Sequence, residues 1–280
     1  MRHRYLLLFL AVTIMFSCKK EKQTIDQPSS LPPSPMPLPS FTLRIKDVVI
    51  AHLPSPFYHF EYNAAGNVSF VSYASDFSRY DISYNGDKIS EMRNNILVNK
   101  DRLQYFYDNA GRVNAVTYAD STGQVYTRIN LTYDGSKLIK MQRERKIGSD
   151  FLVNKTITMF YYADGNLLNL TVHYPAIAGQ NESTYTDWYE QYDNKINAEG
   201  FSLLHDEFFD HLVFLPGVQL QKNNPGNITR TGDGNNYKVD YTYTYNDRSA
   251  PLTKSGDFVY TSGSAKGQRF QLSSTYSYYP

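Results

Sequence analysis

The chain has 280 residues, with 28 basic and 27 acidic side chains and a formal charge of +1. A length of this order accommodates one large domain or two small ones. So even a charge balance, without a long basic run, argues against nucleic acid as a partner, because phosphate binding needs concentrated positive surface. Tyrosine is the outlier, at 25 residues against a single tryptophan. Its ring suits a half-buried pleated surface and its hydroxyl reaches water, so the composition leans toward β structure.

The first residues read as a targeting segment. "MRHR" is a positive start, "YLLLFLAVTIMF" a short apolar core, and "SC" a small-residue cleavage site ending on Cys18. The apolar run is about a dozen residues, short of the roughly 20 that a spanning helix needs. Cys18 is the only cysteine, so no internal disulfide is available. Residues 1–17 followed by this cysteine resemble a bacterial lipoprotein signal, which implies cleavage before Cys18 and its lipidation. Residues 18–40 then read as a tether: six of the residues from Pro28 to Ser40 are proline, which favours an extended, semi-rigid spacer. The folded domain is expected over residues 41–280.

That domain repeats one unit. A tyrosine precedes a turn at Tyr62, Tyr84, Tyr107, Tyr133, Tyr162, Tyr192 and Tyr245, at spacings of 22, 23, 26, 29, 30 and 53. The last interval holds nearly two units, with "NNPGNI" at Asn223 to Ile228 as the missing turn. Segments such as "YFY" and "MFYY" end a strand, "NAAG", "DNAG" and "ADG" are turns, and "RVNAVTY" and "NLLNLTVHY" are returning strands. Two strands per unit fit a continuous antiparallel meander better than a propeller blade, which needs four. Seven or eight units give about 14 to 16 strands, and a sheet of more than roughly ten strands curls. The expected fold is therefore all-β: one meander rolled into a barrel-like or half-barrel sheet. Mean hydropathy is −0.49, and strand positions alternate with Ser, Thr, Asn, Lys and Arg, unlike the apolar band of a membrane barrel.

One region breaks the repeat. In "FSLLHDEFFDHLVFLPG", Leu204, Phe208 and Leu212 recur every four residues and Pro216-Gly217 ends the run, which predicts a short helix near 202–215. Such a helix would cover an open end of the roll. His205 and His211 lie six apart, about 120° from one another around a helix, so they cannot chelate as a zincin pair does. Glu207 and His211 are i, i+4 neighbours and form the one weak metal candidate; a solvated helix face is the simpler account.

His52, His59 and His173 stand isolated in sequence. There is no Gly-rich phosphate cradle and no nucleophile elbow, and no cofactor is expected. Aspartates sit in turns, where capping the backbone is their default role. A glycosidase needs two carboxylates roughly 5–10 Å apart, and nothing in the sequence singles out such a pair. Rows of tyrosines serve either as cross-strand pairs that stabilise a wide sheet or as a platform for glycan or peptide. Trp188, placed at the junction between loop and strand before the predicted helix, is the best single candidate for a ligand contact.

The turns "YNAAGNV", "YDNAGRV" and "YADGNLL" resemble YD (Rhs-type) repeats. The layout as a whole is similar to a family of Bacteroidota lipoproteins of unknown function described as having a porin-like β fold. The motifs that carry this likeness are the lipoprotein signal, the tyrosine hairpins, "YDNKIN" before the insertion, "KNNPGNITR" after it and the strand "YTYTYN". The last turn, "YNDRSAPLTK", lacks the glycine of the others. The resemblance implies fold and address rather than chemistry. The expectation is a cell-envelope lipoprotein, anchored through Cys18 to the outer membrane at its periplasmic face or at the cell surface, acting as a non-enzymatic binding or assembly module for a glycan, a peptide or an envelope protein. An envelope hydrolase with a carboxylate pair inside the roll and a purely structural repeat protein are the alternatives.

Overall fold

Alternation of buried and exposed side chains drives the architecture. In "SRYDISYN", Ser78, Tyr80 and Ile82 are buried while Arg79, Asp81 and Ser83 are exposed; only a strand with one apolar face has this period of two. The computed structural model describes residues 43–95, 100–177, 179–199 and 213–280, all within one compact unit, Thr42–Pro280. Among them are sixteen strands. The first eight are β1 (Ile45–Ile50), β2 (Tyr58–Tyr62), β3 (Val68–Tyr73), β4 (Ser78–Asn85), β5 (Lys88–Asn94), β6 (Arg102–Tyr107), β7 (Val113–Ala119) and β8 (Val125–Asp134). The second eight are β9 (Lys137–Ile147), β10 (Asp150–Tyr161), β11 (Leu167–Tyr174), β12 (Ser183–Glu190), β13 (Asn227–Gly232), β14 (Tyr237–Tyr245), β15 (Pro251–Tyr260) and β16 (Arg269–Tyr278).

Each strand pairs antiparallel with its sequence neighbours, and β1 pairs with β16 through Ile45↔Tyr278 and Val48↔Tyr276. The sheet is thus a closed barrel; the half-barrel alternative is set aside because closure satisfies both edge strands. The predicted helix near 202–215 falls on residues 200–212, outside the described residues, and Val213–Leu215, which are described, are not helical. No described segment is helical, so a helical insertion is not supported.

The inward face is packed. Tyr73, Tyr80, Ile89, Met92, Leu103, Leu138, Ile157, Met159 and Leu167 are each at most 2% exposed. Sixteen strands would leave room for an aqueous channel, and two things fill it. Tyrosines supply bulk: Tyr105, Tyr118, Tyr189 and Tyr276 are all buried. The described part of the connection between β12 and β13 adds to it, since Val213, Leu215 and Leu220 join the same core. The Phe214 N–H donates to the Tyr105 hydroxyl on β6 at 3.2 Å, which places this connection across the interior. Its two stems clamp together: Asn223 Nδ2 donates to the Lys195 carbonyl at 2.9 Å, Asn224 Nδ2 to that of Ile196 at 3.1 Å, and Asn197 Nδ2 to that of Asn223 at 3.1 Å. "YDNKIN" and "KNNPGNITR" are therefore the two halves of one polar clasp.

The tyrosine repeat has a structural basis. At one end of the barrel, eight hydroxyls each donate to a backbone carbonyl at or beside the start of the preceding odd-numbered strand: Tyr62 to Ile45, Tyr84 to Val68, Tyr107 to Ile89, Tyr133 to Val113, Tyr161 to Leu138, Tyr192 to Leu167, Tyr243 to Pro225 and Tyr278 to Pro251, at 2.6–3.0 Å. One such bond per strand pair makes a belt around the rim. The aligned set had Tyr162 and Tyr245 in place of Tyr161 and Tyr243 and lacked Tyr278. A bulge before Tyr161 turns that ring, and not its neighbour's, toward the Leu138 carbonyl. In four units the residue before the accepting one is a cation lying over the belt ring: Arg44 over Tyr62, Lys88 over Tyr107, Arg112 over Tyr133 and Lys137 over Tyr161, at 4.9–6.0 Å. Burial pushes the Tyr62, Tyr84 and Tyr133 hydroxyls up to about 12.

The belt sits beside one recurring turn. In it an Asn or Asp side chain accepts two backbone N–H groups while its own carbonyl accepts a third, as at Asn63 and Asp108. "NDRSA" closes the same way on Asn246, with Ser249 at φ 61° standing where Gly66 stands at φ 84°. The missing glycine leaves the geometry intact.

Candidate functional site

The interior polar groups are engaged in pairs. On β12, Asp187 faces inward and accepts two bonds from Arg230 of β13, Nε to Oδ1 at 2.7 Å and a terminal nitrogen to Oδ2 at 2.6 Å. The guanidinium lies 3.8 Å from the Tyr185 ring centre and 4.7 Å from that of Tyr237. Burial works against the charge on Arg230, but the Asp187 carboxylate outweighs it and holds the cation above its ordinary range. Glu199, from the connection after β12, meets Lys254 of β15 at 2.6 Å and accepts from the Tyr276 hydroxyl. Burial alone would lower the Lys254 ammonium, yet Glu199, Tyr241 and Tyr243 together keep it well above the usual lysine range. Each of these two carboxylates thus answers a cation rather than the other carboxylate, and the contacts of Glu199 tie the described part of the β12–β13 connection to the wall.

On the outer wall, barrel closure creates a cluster that the sequence hides. Asp47 of β1 meets His59 Nδ1 at 2.6 Å and accepts from the Ser277 hydroxyl of β16 at 3.0 Å, beside an open hollow of ≈ 290 Å³ lined by Val49, Pro56 and Thr275 among others. The composition suggests a nucleophilic triad; the order does not. A triad places histidine between hydroxyl and carboxylate, whereas here the carboxylate is in the middle and Ser277 has no base. His59 and His173, isolated in sequence, both have partners: Asp47 for the first, and Thr184 at 3.0 Å for the second. Among the described residues no three His, Asp or Glu side chains gather as a metal site. Cys18, Glu207 and His211 lie outside the described residues.

Trp188 is placed differently from the expectation. It lies within β12 rather than at a junction, and it points outward, because its neighbours Asp187 and Tyr189 are buried while it is 38% exposed. Its Nε1 donates to Thr231 Oγ1 at 3.3 Å. The register sets it in a row with Phe160 of β10, Asn169 of β11 and Thr229 of β13, each directly opposite the next, and residues opposite one another share a face. Phe160 is 54% exposed, whereas Asn169 between the two rings is 7% exposed. A second row, Thr158, Thr171, Thr186 and Thr231, runs alongside, with the Thr171 and Thr186 hydroxyls bonded at 2.9 Å. The wall over β4–β9 is different: Arg79, Asp81, Lys88, Arg93, Arg128 and Arg145 are exposed there. Trp188 was legible as a candidate from its rarity; Phe160 and Asn169 needed the register.

No protein-family model matches the chain, and no curated protein does. Among solved structures the chain is similar to a porin-like protein from Bacteroides uniformis ATCC 8492, at 13% identity and a TM-score of 0.54, over 79% of this chain and 89% of that one. TcdB2-TccC3 without its hypervariable C-terminal region aligns with 76% of this chain and 13% of its own at 16% identity, with a TM-score of 0.29; TcdB2-TccC3-Cdc42 aligns at 12% and 0.22. At these identities the first likeness concerns the fold alone: the chain shares the barrel architecture of a porin-like protein.

Proposed function

We propose that this chain is an envelope-anchored, non-enzymatic binding or assembly module, held to a membrane by a lipid on Cys18 and carried on the tether of residues 18–40. One observation carries the reading: the polarity of the barrel. Apolar side chains and tyrosines pack the described inside, while charged and hydroxyl side chains make up most of the outside, with exposed rings such as Phe106, Phe160, Trp188 and Phe270 scattered among them rather than forming a band. A membrane barrel has the opposite arrangement, with an apolar band outward and a polar lumen. A wall of this kind belongs in water, so a membrane association needs a separate anchor, and the signal-like segment ending at Cys18 supplies one. With the described interior packed and Asp187 and Glu199 each paired to a cation, the outer wall is the surface offered to partners. The porin-like fold of the Bacteroides protein is consistent with the cell envelope, at the outer membrane on its periplasmic face or at the cell surface.

Fractionation of cells expressing the wild type and Cys18→Ser tests the anchor: the wild type should sediment with membranes and incorporate labelled fatty acid, and the variant should do neither. The purified wild type should give no stepwise conductance in planar bilayers. Channel steps, or a membrane-bound Cys18→Ser variant, would overturn the proposal.

A further inference from the structure

The geometry points to a binding site for a neutral glycan chain on the outer wall over β10–β13, formed by Phe160, Asn169 and Trp188 and bordered by the threonine row. The inference rests on the reading of the chain as a binding module and names its ligand class. Three features carry it. Two large exposed aromatic rings, Phe160 and Trp188, share one cross-strand row and stand two strands apart, about 9.5 Å across the sheet. That interval suits alternate rings of an extended glycan, the first and third of three linked pyranoses, whose axial C–H faces stack on aromatic planes while their equatorial hydroxyls point sideways. Asn169 lies between the rings, 7% exposed, and no described group pairs with its carboxamide. Its amide is thus open to an incoming group, and a sugar hydroxyl arriving between the rings both donates to it and accepts from it.

The chemistry of the surroundings selects among ligands. The aromatic row and the threonine row contain no charged side chain; charge enters at their margins, with Lys140 opposite Thr158, Lys238 opposite Thr229 and Glu190 two residues along β12 from Trp188. Lys238 already meets Asp240 at 3.0 Å. A polyanion would find no matching field along the rows, whereas hydroxyls and amides suit an uncharged chain of hydroxyls. A peptide added as an extra strand would need a free sheet edge, and the closed barrel has none.

Trp188 is the only tryptophan, so its emission reports this site alone. The full chain in detergent micelles is titrated with neutral gluco-, xylo- and manno-oligosaccharides of increasing length, with anionic oligogalacturonate and neutral phosphatidylcholine vesicles as the other arms. At least one neutral series should shift the Trp188 emission below about 10 mM, with affinity rising from two sugars to longer chains. By calorimetry, Trp188→Ala and Phe160→Ala should each weaken binding by about tenfold or more, Trp188→Phe should restore most of it, and Phe106→Ala, on the charged part of the wall, should leave it unchanged. Circular dichroism checks that the variants are folded. The site is overturned if no neutral glycan binds, if binding survives in Trp188→Ala/Phe160→Ala, or if only the anionic sugar or the vesicles respond. If Cys18→Ser still releases the chain in that case, the module reading stands without this site. Glycan binding by a chain that needs no Cys18 for membrane association would leave the site standing and remove the anchor.

Discussion

Replacing Tyr161 by phenylalanine removes one hydroxyl and leaves the ring, and the adjacent Tyr162 provides its own control. The Tyr161 hydroxyl donates to the Leu138 carbonyl at 2.6 Å, and Leu138 is 1% exposed. A neutral hydrogen bond is worth about 1 kcal/mol net, and an acceptor left dry costs up to about 3. Partial access of water at the rim places Tyr161→Phe near 1.5 kcal/mol, about a tenfold shift in the unfolding equilibrium. Tyr162 donates at 3.3 Å to the Tyr189 carbonyl, so Tyr162→Phe should cost no more than about 0.5 kcal/mol. Urea denaturation followed by Trp188 fluorescence measures both, and equal m-values make the midpoints comparable. A combined Tyr84→Phe/Tyr192→Phe variant, changed at separate units of the belt, should show the sum of its single costs. If Tyr162→Phe costs as much as Tyr161→Phe, the belt is not what the repeat encodes.

Alkaline titration should separate belt from surface: absorbance at 295 nm should show ordinary tyrosines ionising near 10 and a class near 12 that includes Tyr62, Tyr84 and Tyr133. The fold favours their neutral form, so their contribution is intact below pH 10 and is lost as pH rises from about 10 to 12; stability that is flat across this window would contradict it. Lys254→Met should destabilise by about 2 kcal/mol, discounted from a fully buried pair because both partners are part-exposed, while Lys254→Met/Glu199→Gln should cost less than the two single changes together. Ser249→Gly should raise the unfolding free energy by roughly 0.5–1 kcal/mol, since φ 61° is a strained setting for serine and free for glycine; a loss would mean that the serine side chain contributes something else.

The hairpin period, the all-β class and the strand count were readable because turn chemistry and two-residue alternation are local. Which tyrosine of a pair bonds was not, since a bulge after Phe160 shifts the register by one and flips the face. Closure escaped for a different reason: it depends on β1 meeting β16 some 230 residues away, and the Asp47–His59–Ser277 cluster depends on the same event. Trp188 was misplaced because "STYTDWYE" reads ambiguously until Asp187 is known to point inward, and that inward aspartate makes sense only with Arg230, 43 residues on. The filled interior was likewise beyond reach, because nothing local tells Val213 and Leu215 to cross it.

The β1–β16 seam also sets an order of events in time. Every other pairing joins strands adjacent in the chain, so the meander can assemble behind the ribosome as each hairpin emerges, with short loops to close everywhere but at the long β12–β13 connection. Until Arg269–Tyr278 is made, however, β1 and β15 present open edges that can recruit other chains. The last strand is therefore a zip fastener, and a chain stalled before it would be the aggregation-prone form of this protein.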